Sequence, residues 1–179
     1  PVMSISELVP NVERDFKVHS GKVRDSIDLE DQLLIVATDR ISTFDAVHKN
    51  GIPGKGIILT QMSLKWLELF NNTPNHLISS DTEQFPERFN NPSLAGRSML
   101  VQKLSVIPIE CIVRGFITGS ALAEYRRNGK VTGITLPPGL IESQKLETAI
   151  FTPSTKAASG HDVNITFEQM RDIIYTSFP

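Results

Sequence analysis

"VIPIECIVRGFITGS", residues 106–120, is the most strand-like stretch of the chain. Val106, Ile107, Ile109, Ile112 and Val113 make it read as a buried strand. Cys111, inside the run, reads as a small core residue. Yet Glu110 interrupts the apolar pattern, Arg114 ends it, and Thr118-Gly119-Ser120 turns the chain away. A carboxylate and a guanidinium along such a strand need partners, because a buried charge without one is costly.

The neighbouring sequence places this stretch in an α+β chain. "DFKVHSGKVRDSIDLE" reads as two short strands around a Ser20-Gly21 turn, and "DQLLIVATDRIS" as a third strand over 33–38. "VHKNGIPGKG" is a glycine- and proline-rich loop. Thr60 reads as the cap of a helix through "QMSLKWLELF", and "NHLISS" as a short strand. The polar "DTEQFPERFNNPSLAG" is expected to be a surface loop, and "VTGITLPPGLIESQKLE" loop and turn. "GSALAEYRRNG" gives a short helix stopping at Gly129. "FTPSTKAASGHDVNI" gives a polar loop. "TFEQMRDIIYTSF" gives a helix capped by Thr166 in which Glu168 stands one position too early for a full capping box. A strand-turn-strand opening followed by a third strand and a helix is also how a kinase-like nucleotide-binding lobe begins.

With 179 residues, the chain can build one good core or two small lobes. Its 40% hydrophobic and 21% charged content is that of a globular protein. A net charge of −2 argues against nucleic acid or an anionic membrane as partner, while leaving small phosphorylated ligands open to a local basic cluster. The single cysteine allows no internal disulfide and fits a cytoplasmic location. No signal peptide is legible at the N-terminus.

Four segments carry candidate chemistry. In "SGKVRD", Gly21 sits in a turn, and Lys22 and Arg24 alternate so that both side chains share a face. That arrangement suits a polyphosphate, and equally a hairpin with two solvated cations. "ATDRISTFD" gathers Asp39, Arg40, Ser42, Thr43 and Asp45 at a strand end, either as a site or as a turn with side-chain caps. "GIPGKGIILT" is not a P-loop. Two residues rather than four separate Gly51 from Gly54, and Lys55 precedes glycine rather than Ser or Thr. A loop entering a helix N-terminus can still face an anion. "STKAASGHDVN" holds Lys156, His161, Asp162 and Asn164, too few ligand types for a zinc site and with no nucleophile elbow nearby.

The 106–120 stretch resembles the signature of the SAICAR synthetase (phosphoribosylaminoimidazole-succinocarboxamide synthase) family. That pattern runs aliphatic-aliphatic-Pro-aliphatic-Glu, any residue, two aliphatics, Arg, three residues, Thr or Ala, then Gly-Ser. Every specified position is met. "SGKVRD", "ATDRISTFD", "IPGKGIILTQMS" and "FTPSTKAASGHDVNI" resemble the family's other blocks, in the same order and in the longer bacterial and fungal form. The resemblance implies a SAICAR synthetase-like α+β fold. A kinase-like antiparallel ATP-binding lobe would cover residues 1–109, and 110–179 would begin a second, substrate-binding α/β lobe. It implies ATP-dependent ligation of L-aspartate to the ribotide CAIR, with Mg2+, in purine biosynthesis. ATP would be held by Ser20, Gly21, Lys22, Val23 and Arg24, and by Lys103, Leu104, Ile109 and Glu110 around a hinge for the adenine. CAIR would be held by Arg114 and Ser120. Asp39, Arg40, Ser42, Asp45, Lys55, Lys156, His161 and Asp162 would be further substrate-site candidates.

One departure stands out. The family's second signature, Asp-x-Lys-x-Glu-Phe-Gly, and the acidic block after it are absent. The resemblance implies that those carboxylates serve magnesium and nucleotide. They are expected beyond Pro179, so no metal ligand is assigned within this chain, which looks like the N-terminal part of a longer enzyme. The rival readings are a catalytically inactive nucleotide- or ribotide-binding fragment and a phosphotransferase. The Arg114–Ser120 block argues against the latter.

Overall fold

The computed structural model describes residues 1–43, 46–156 and 162–178. The chain divides into two compact units, Pro1–Leu104 and Ser105–Pro179, whereas the sequence reading divides it between Ile109 and Glu110.

The first unit is built on a five-stranded antiparallel sheet. Along the chain come helices α1 (Ile5–Leu8) and α2 (Val12–Asp15), then strands β1 (Val18–Ser20), β2 (Arg24–Leu29) and β3 (Gln32–Ala37). The two-residue strands β4 (Ser42–Thr43) and β5 (Ala46–Val47) pair with each other. Helix α3 (Lys55–Leu69), β6 (Leu77–Ser79) and β7 (Ser98–Gln102) complete the unit, and the sheet order is β1-β2-β3-β7-β6. Side chains alternate across a strand, so β3 has two working faces. Leu34 and Val36 are fully buried among Ile5, Val12, Ile27, Phe89 and Leu100. Ile35 and Ala37 lie on the opposite face, with α3.

Residues 81–96 are more than the surface loop expected from their polarity. Three single-turn 3-10 segments run through them, and Phe85, Phe89 and Leu94 are buried in the core. Phe85 and Phe89 stand four apart, but Leu94 breaks that period and Pro86 and Pro92 interrupt the run, so pattern reading passes over them.

Helix α3 starts at Lys55, five residues before the expected cap at Thr60. Thr60 is instead a buried residue within the helix. The Asp39 carboxylate, from just after β3, accepts the N–H groups of Gly54 at 3.1 Å and Gly56 at 2.8 Å. A distant side chain thus takes the place of a local cap. Glycine is needed here for contact: a Cβ on residue 56 would stand 2.2 Å from the Ala37 carbonyl oxygen.

The second unit has smaller sheets. Strand β8 (Ile109–Glu110) pairs with β13 (Ser154–Thr155), and β9 (Val113–Ile117) with β12 (Gln144–Phe151). Strands β10 (Lys130–Val131) and β11 (Ile134–Thr135) form a hairpin, α4 (Gly119–Asn128) packs against β10, and α5 (Phe167–Ser177) comes last in the chain. One core gathers Ile117, Ala121, Leu122, Tyr125, Val131 and Leu146, and another Ile109, Ile165 and Met170. The Tyr125 hydroxyl donates to the Pro137 carbonyl at 2.6 Å and accepts from the Leu140 N–H, fastening the diproline loop.

Several expectations are corrected in this unit. The 106–120 stretch is not one buried strand: Pro108 and residues 111–112 leave two short strands, and Val106 and Val113 are 73% and 70% exposed. Cys111 is exposed rather than in the core. Residues 144–147, expected in a loop, start the eight-residue β12, held by pairing to β9 rather than by alternation of its own. The capping box of α5 is complete, closed by Gln169 rather than by Glu168. No described helix is long and apolar enough to cross a membrane.

Gly56→Ala should push α3 off β3 and cost roughly 1–3 kcal/mol, as overpacking does. Gly54, at φ 78° with open space around its Cβ position, should lose only about 1 kcal/mol on replacement by alanine. Urea unfolding of the two variants checks the order.

Candidate active site

In the first unit, three consecutive residues after β3 turn inward. Thr38 donates from its N–H (3.0 Å) and hydroxyl (2.8 Å) to the Val23 carbonyl. Asp39 holds the start of α3 and pairs with Arg97 at 3.2 Å, both side chains only 4% exposed. Arg40 donates to the Gly21 carbonyl at 2.9 Å and pairs with the fully buried Asp25. The "ATDRIS" block, expected to face substrate, therefore spends Asp39 and Arg40 on internal partners. The anion at the N-terminus of α3 is the protein's own carboxylate. Burial raises the pKa of Asp39, but the Gly56 and Gly54 N–H bonds and the Arg97 guanidinium outweigh it and hold the carboxyl below its ordinary value.

The glycine turn so pinned carries Ser20, Gly21 and Lys22 at the surface, and Gly21 N–H donates to the Arg24 carbonyl at 2.7 Å. Beyond it lies a cavity of about 380 Å³. Val23, Arg24, Ile35, Ala37 and Met99 line it from the sheet, and Leu59, Thr60 and Trp66 are among its lining residues from α3. The lining is mostly apolar, with Arg24, Thr60 and Ser63 as its polar residues. Trp66, one of the apolar residues of the helix sequence, is a lining residue not legible as such, because that role depends on which face of α3 meets the sheet.

Lys103 and Leu104 are placed differently. Lys103 Nζ bonds both oxygens of Asp28, at 2.7 and 2.8 Å, and holds the Asp28 carboxyl below its usual range. Leu104 is exposed. Neither lines the cavity. Lys55 is the half-buried first residue of α3, and Ser42 sits in β4 opposite Val47.

In the second unit, Arg114 on β9 donates from Nε to Thr152 Oγ1 at 3.0 Å and from Nη2 to Ser120 Oγ at 3.4 Å. Among the described residues it has no carboxylate partner. Ser120 lines a cavity of about 400 Å³ with Glu124, Arg127, Asp162, Val163 and Asn164. Two expected residues, Ser120 and Asp162, thus meet. Glu124 and Arg127 were not anticipated, although their spacing from Ser120 along α4 places all three on one face. Glu124 accepts the Thr132 N–H and the Asn164 amide. Ile109 is buried, and Glu110 pairs with Lys156 across 3.4 Å. Asp45 and His161 lie outside the described residues.

The sequence profile of the SAICAR synthetase family matches residues 17–177. The chain belongs to the SAICAR synthetase family. A phosphoribosylaminoimidazole-succinocarboxamide synthase of Syntrophotalea carbinolica is 54% identical over 160 residues, 87% of this chain and 54% of that protein. The enzyme of the same name from Lachnospira eligens is 51% identical over 164 residues, 90% of this chain and 55% of its own length. Among solved structures, the SAICAR synthase of Saccharomyces cerevisiae in complex with SAICAR superposes with a TM-score of 0.82 at 40% identity, covering 92% of this chain and 57% of that one. An ADP-bound SAICAR synthetase at 22% identity shares the fold, with a TM-score of 0.66 over 90% of this chain and 62% of its own. The chain spans about half the length of the curated relatives it matches. The α+β, antiparallel-sheet fold expected from the resemblance is that of the family.

In this family member the depressed Asp39 pKa makes a pH prediction. A carboxyl whose folded pKa lies below its unfolded value stabilises the protein above the unfolded value of 3.8, and the contribution is lost as pH falls through the folded value. Thermal stability of the wild type should therefore fall as pH drops below about 4, and Asp39→Asn should be less stable at pH 7 but flatter over that acid range.

Proposed function

We propose that the protein works in ATP-dependent ligation of L-aspartate to CAIR, giving SAICAR, ADP and phosphate in purine biosynthesis, in the cytoplasm. The observation that carries the proposal is Arg114. It is a half-buried guanidinium oriented by two hydroxyls, without a carboxylate, beside the Ser120 cavity of a chain whose relatives bear that enzyme's name. A guanidinium so placed suits the ribotide phosphate, which it can hold by two parallel hydrogen bonds. The yeast relative's complex with SAICAR supports a ribotide as the ligand class.

For ATP we assign the glycine turn to the phosphates and the apolar cavity of about 380 Å³ to the base. The chemistry needs positioning and charge neutralisation rather than a nucleophilic side chain. The γ-phosphoryl group passes to an oxygen of the CAIR carboxylate, releasing ADP. The aspartate amine then forms the C–N bond as phosphate leaves. Magnesium is implied by the resemblance, but the described residues do not fit it. Among them no three His, Cys, Asp or Glu side chains form a metal-binding group, and Asp25 and Asp39 are spent on internal partners. No step is assigned to the metal here.

The share of the relatives' length that the chain spans favours a second reading, in which these 179 residues bind nucleotide and ribotide without turnover. The two readings separate in one assay of the chain with ATP, Mg2+, CAIR and L-aspartate. ADP formation that requires both CAIR and aspartate supports ligation by the chain itself. CAIR and nucleotide binding without ADP, the expected result, supports the second reading, and absence of both binding and turnover sinks the two together. Arg114→Lys should weaken CAIR binding in calorimetry by about tenfold or more, because lysine keeps the charge but loses the fork. Unchanged affinity in the folded variant would remove Arg114 from the site.

A further inference from the structure

The Asp25–Arg40 pair is a deeply built ionic feature that the ATP and CAIR assignments above do not use. Asp25 is fully buried and the Arg40 side chain is 12% exposed. Asp25 Oδ2 also accepts the Ile5 N–H at 2.8 Å, so α1 anchors the pair from behind. On the other side, Arg40 Nη2 reaches the Gly21 carbonyl at 2.9 Å. Arg40 is itself steadied, its N–H donating to Thr38 Oγ1 at 3.2 Å. The same Thr38 hydroxyl bonds Val23 O. The turn from Ser20 to Arg24 is thus gripped at two carbonyls from outside and closed by its own Gly21–Arg24 bond.

A planar trans peptide points its C=O and N–H to opposite sides. Drawing the Gly21 carbonyl inward onto Arg40 therefore fixes the plane of the Gly21–Lys22 peptide and the direction of the following N–H. Glycine alone would leave that plane free to rotate. Replacing a buried ion pair by apolar packing is often neutral or stabilising, so stability is a weak reason for this one to exist. What it supplies at this place is a fixed peptide orientation in the segment assigned to phosphates.

We infer that the Asp25–Arg40 pair is a positioning device for nucleotide phosphates: it holds the Gly21–Lys22 peptide in the orientation that receives them. The inference rests on the ATP assignment above. Arg40 and Asp25 are positioning residues that act through the turn and need not touch the ligand.

The test uses the whole chain and its single tryptophan, Trp66, which lines the cavity and reports binding by fluorescence. ATP, ADP and adenosine are titrated into the wild type, Arg40→Lys and Asp25→Asn, with hydrogen exchange of the 18–26 segment measured without ligand. Arg40→Lys keeps the charge but cannot span Gly21 O and the carboxylate together. It should weaken ATP by about tenfold, ADP less, and adenosine by less than about twofold, the scale of one charge-assisted hydrogen bond. Exchange in the 18–26 segment should accelerate while that of α3 stays as in the wild type. Equal weakening of ATP and adenosine, or affinities unchanged in both variants, overturns the inference. If Asp25→Asn unfolds, Arg40→Lys decides alone. Turn exchange at the wild-type rate in Arg40→Lys overturns the clamp while leaving the ATP assignment standing. A wild type that binds no nucleotide overturns that assignment and the positioning role with it.

Discussion

The Asp39 carboxylate is the joint on which the first unit depends. One oxygen takes the Gly56 N–H and the Arg97 guanidinium, and the other takes the Gly54 N–H. A helix beginning in a glycine loop has no local side chain to satisfy its first donors. Asp39 satisfies them from the end of β3, and so ties helix to sheet at the edge of the cavity. Arg97 makes that burial tolerable, since an isolated carboxylate at 3% exposure would be driven to its neutral form. Gly56 makes it geometrically possible, because no larger residue clears the Ala37 carbonyl.

From this joint the neighbouring residues take their tasks. Thr38 and Arg40 flank Asp39, and both reach the hairpin turn between β1 and β2. Three adjacent residues therefore set the relation of turn, sheet and helix around one apolar space. The cavity walls come from what is left: the Ile35–Ala37 face of β3, whose opposite face is buried in the main core, and the α3 residues turned toward it. A two-sided strand of this kind is possible only in a sheet covered on both faces.

The second unit solves a related problem with hydroxyls. Arg114 sits on a short strand whose partner, β12, brings the buried Thr152 to its Nε. Thr152 is held in turn by the Ile112 carbonyl. A neutral donor–acceptor group orients the guanidinium without cancelling its charge, unlike the carboxylates that engage Arg97 and Arg40. That contrast separates Arg97 and Arg40, paired with carboxylates, from Arg114, which among the described residues is held by hydroxyls alone.

The sequence by itself determined the α+β class, the β1–β2 hairpin, β3, the ends of α4 and α5, and the family, because those depend on neighbours along the chain and on a long ordered motif. It also brought out Arg114 and Ser120, whose residue types stand out against an apolar run. It did not show which way the "ATDRIS" block faces, that Lys103 answers Asp28, or that Phe85, Phe89 and Leu94 belong to the core. Those facts are pairings across distance: Arg97 meets Asp39 from 58 residues away, and Lys103 meets Asp28 from 75. A polar residue at a strand end reads the same whether a ligand or the protein's own backbone satisfies it. Only the tertiary structure decides which, since it alone brings the competing donors within about 3 Å, where a hydrogen bond forms.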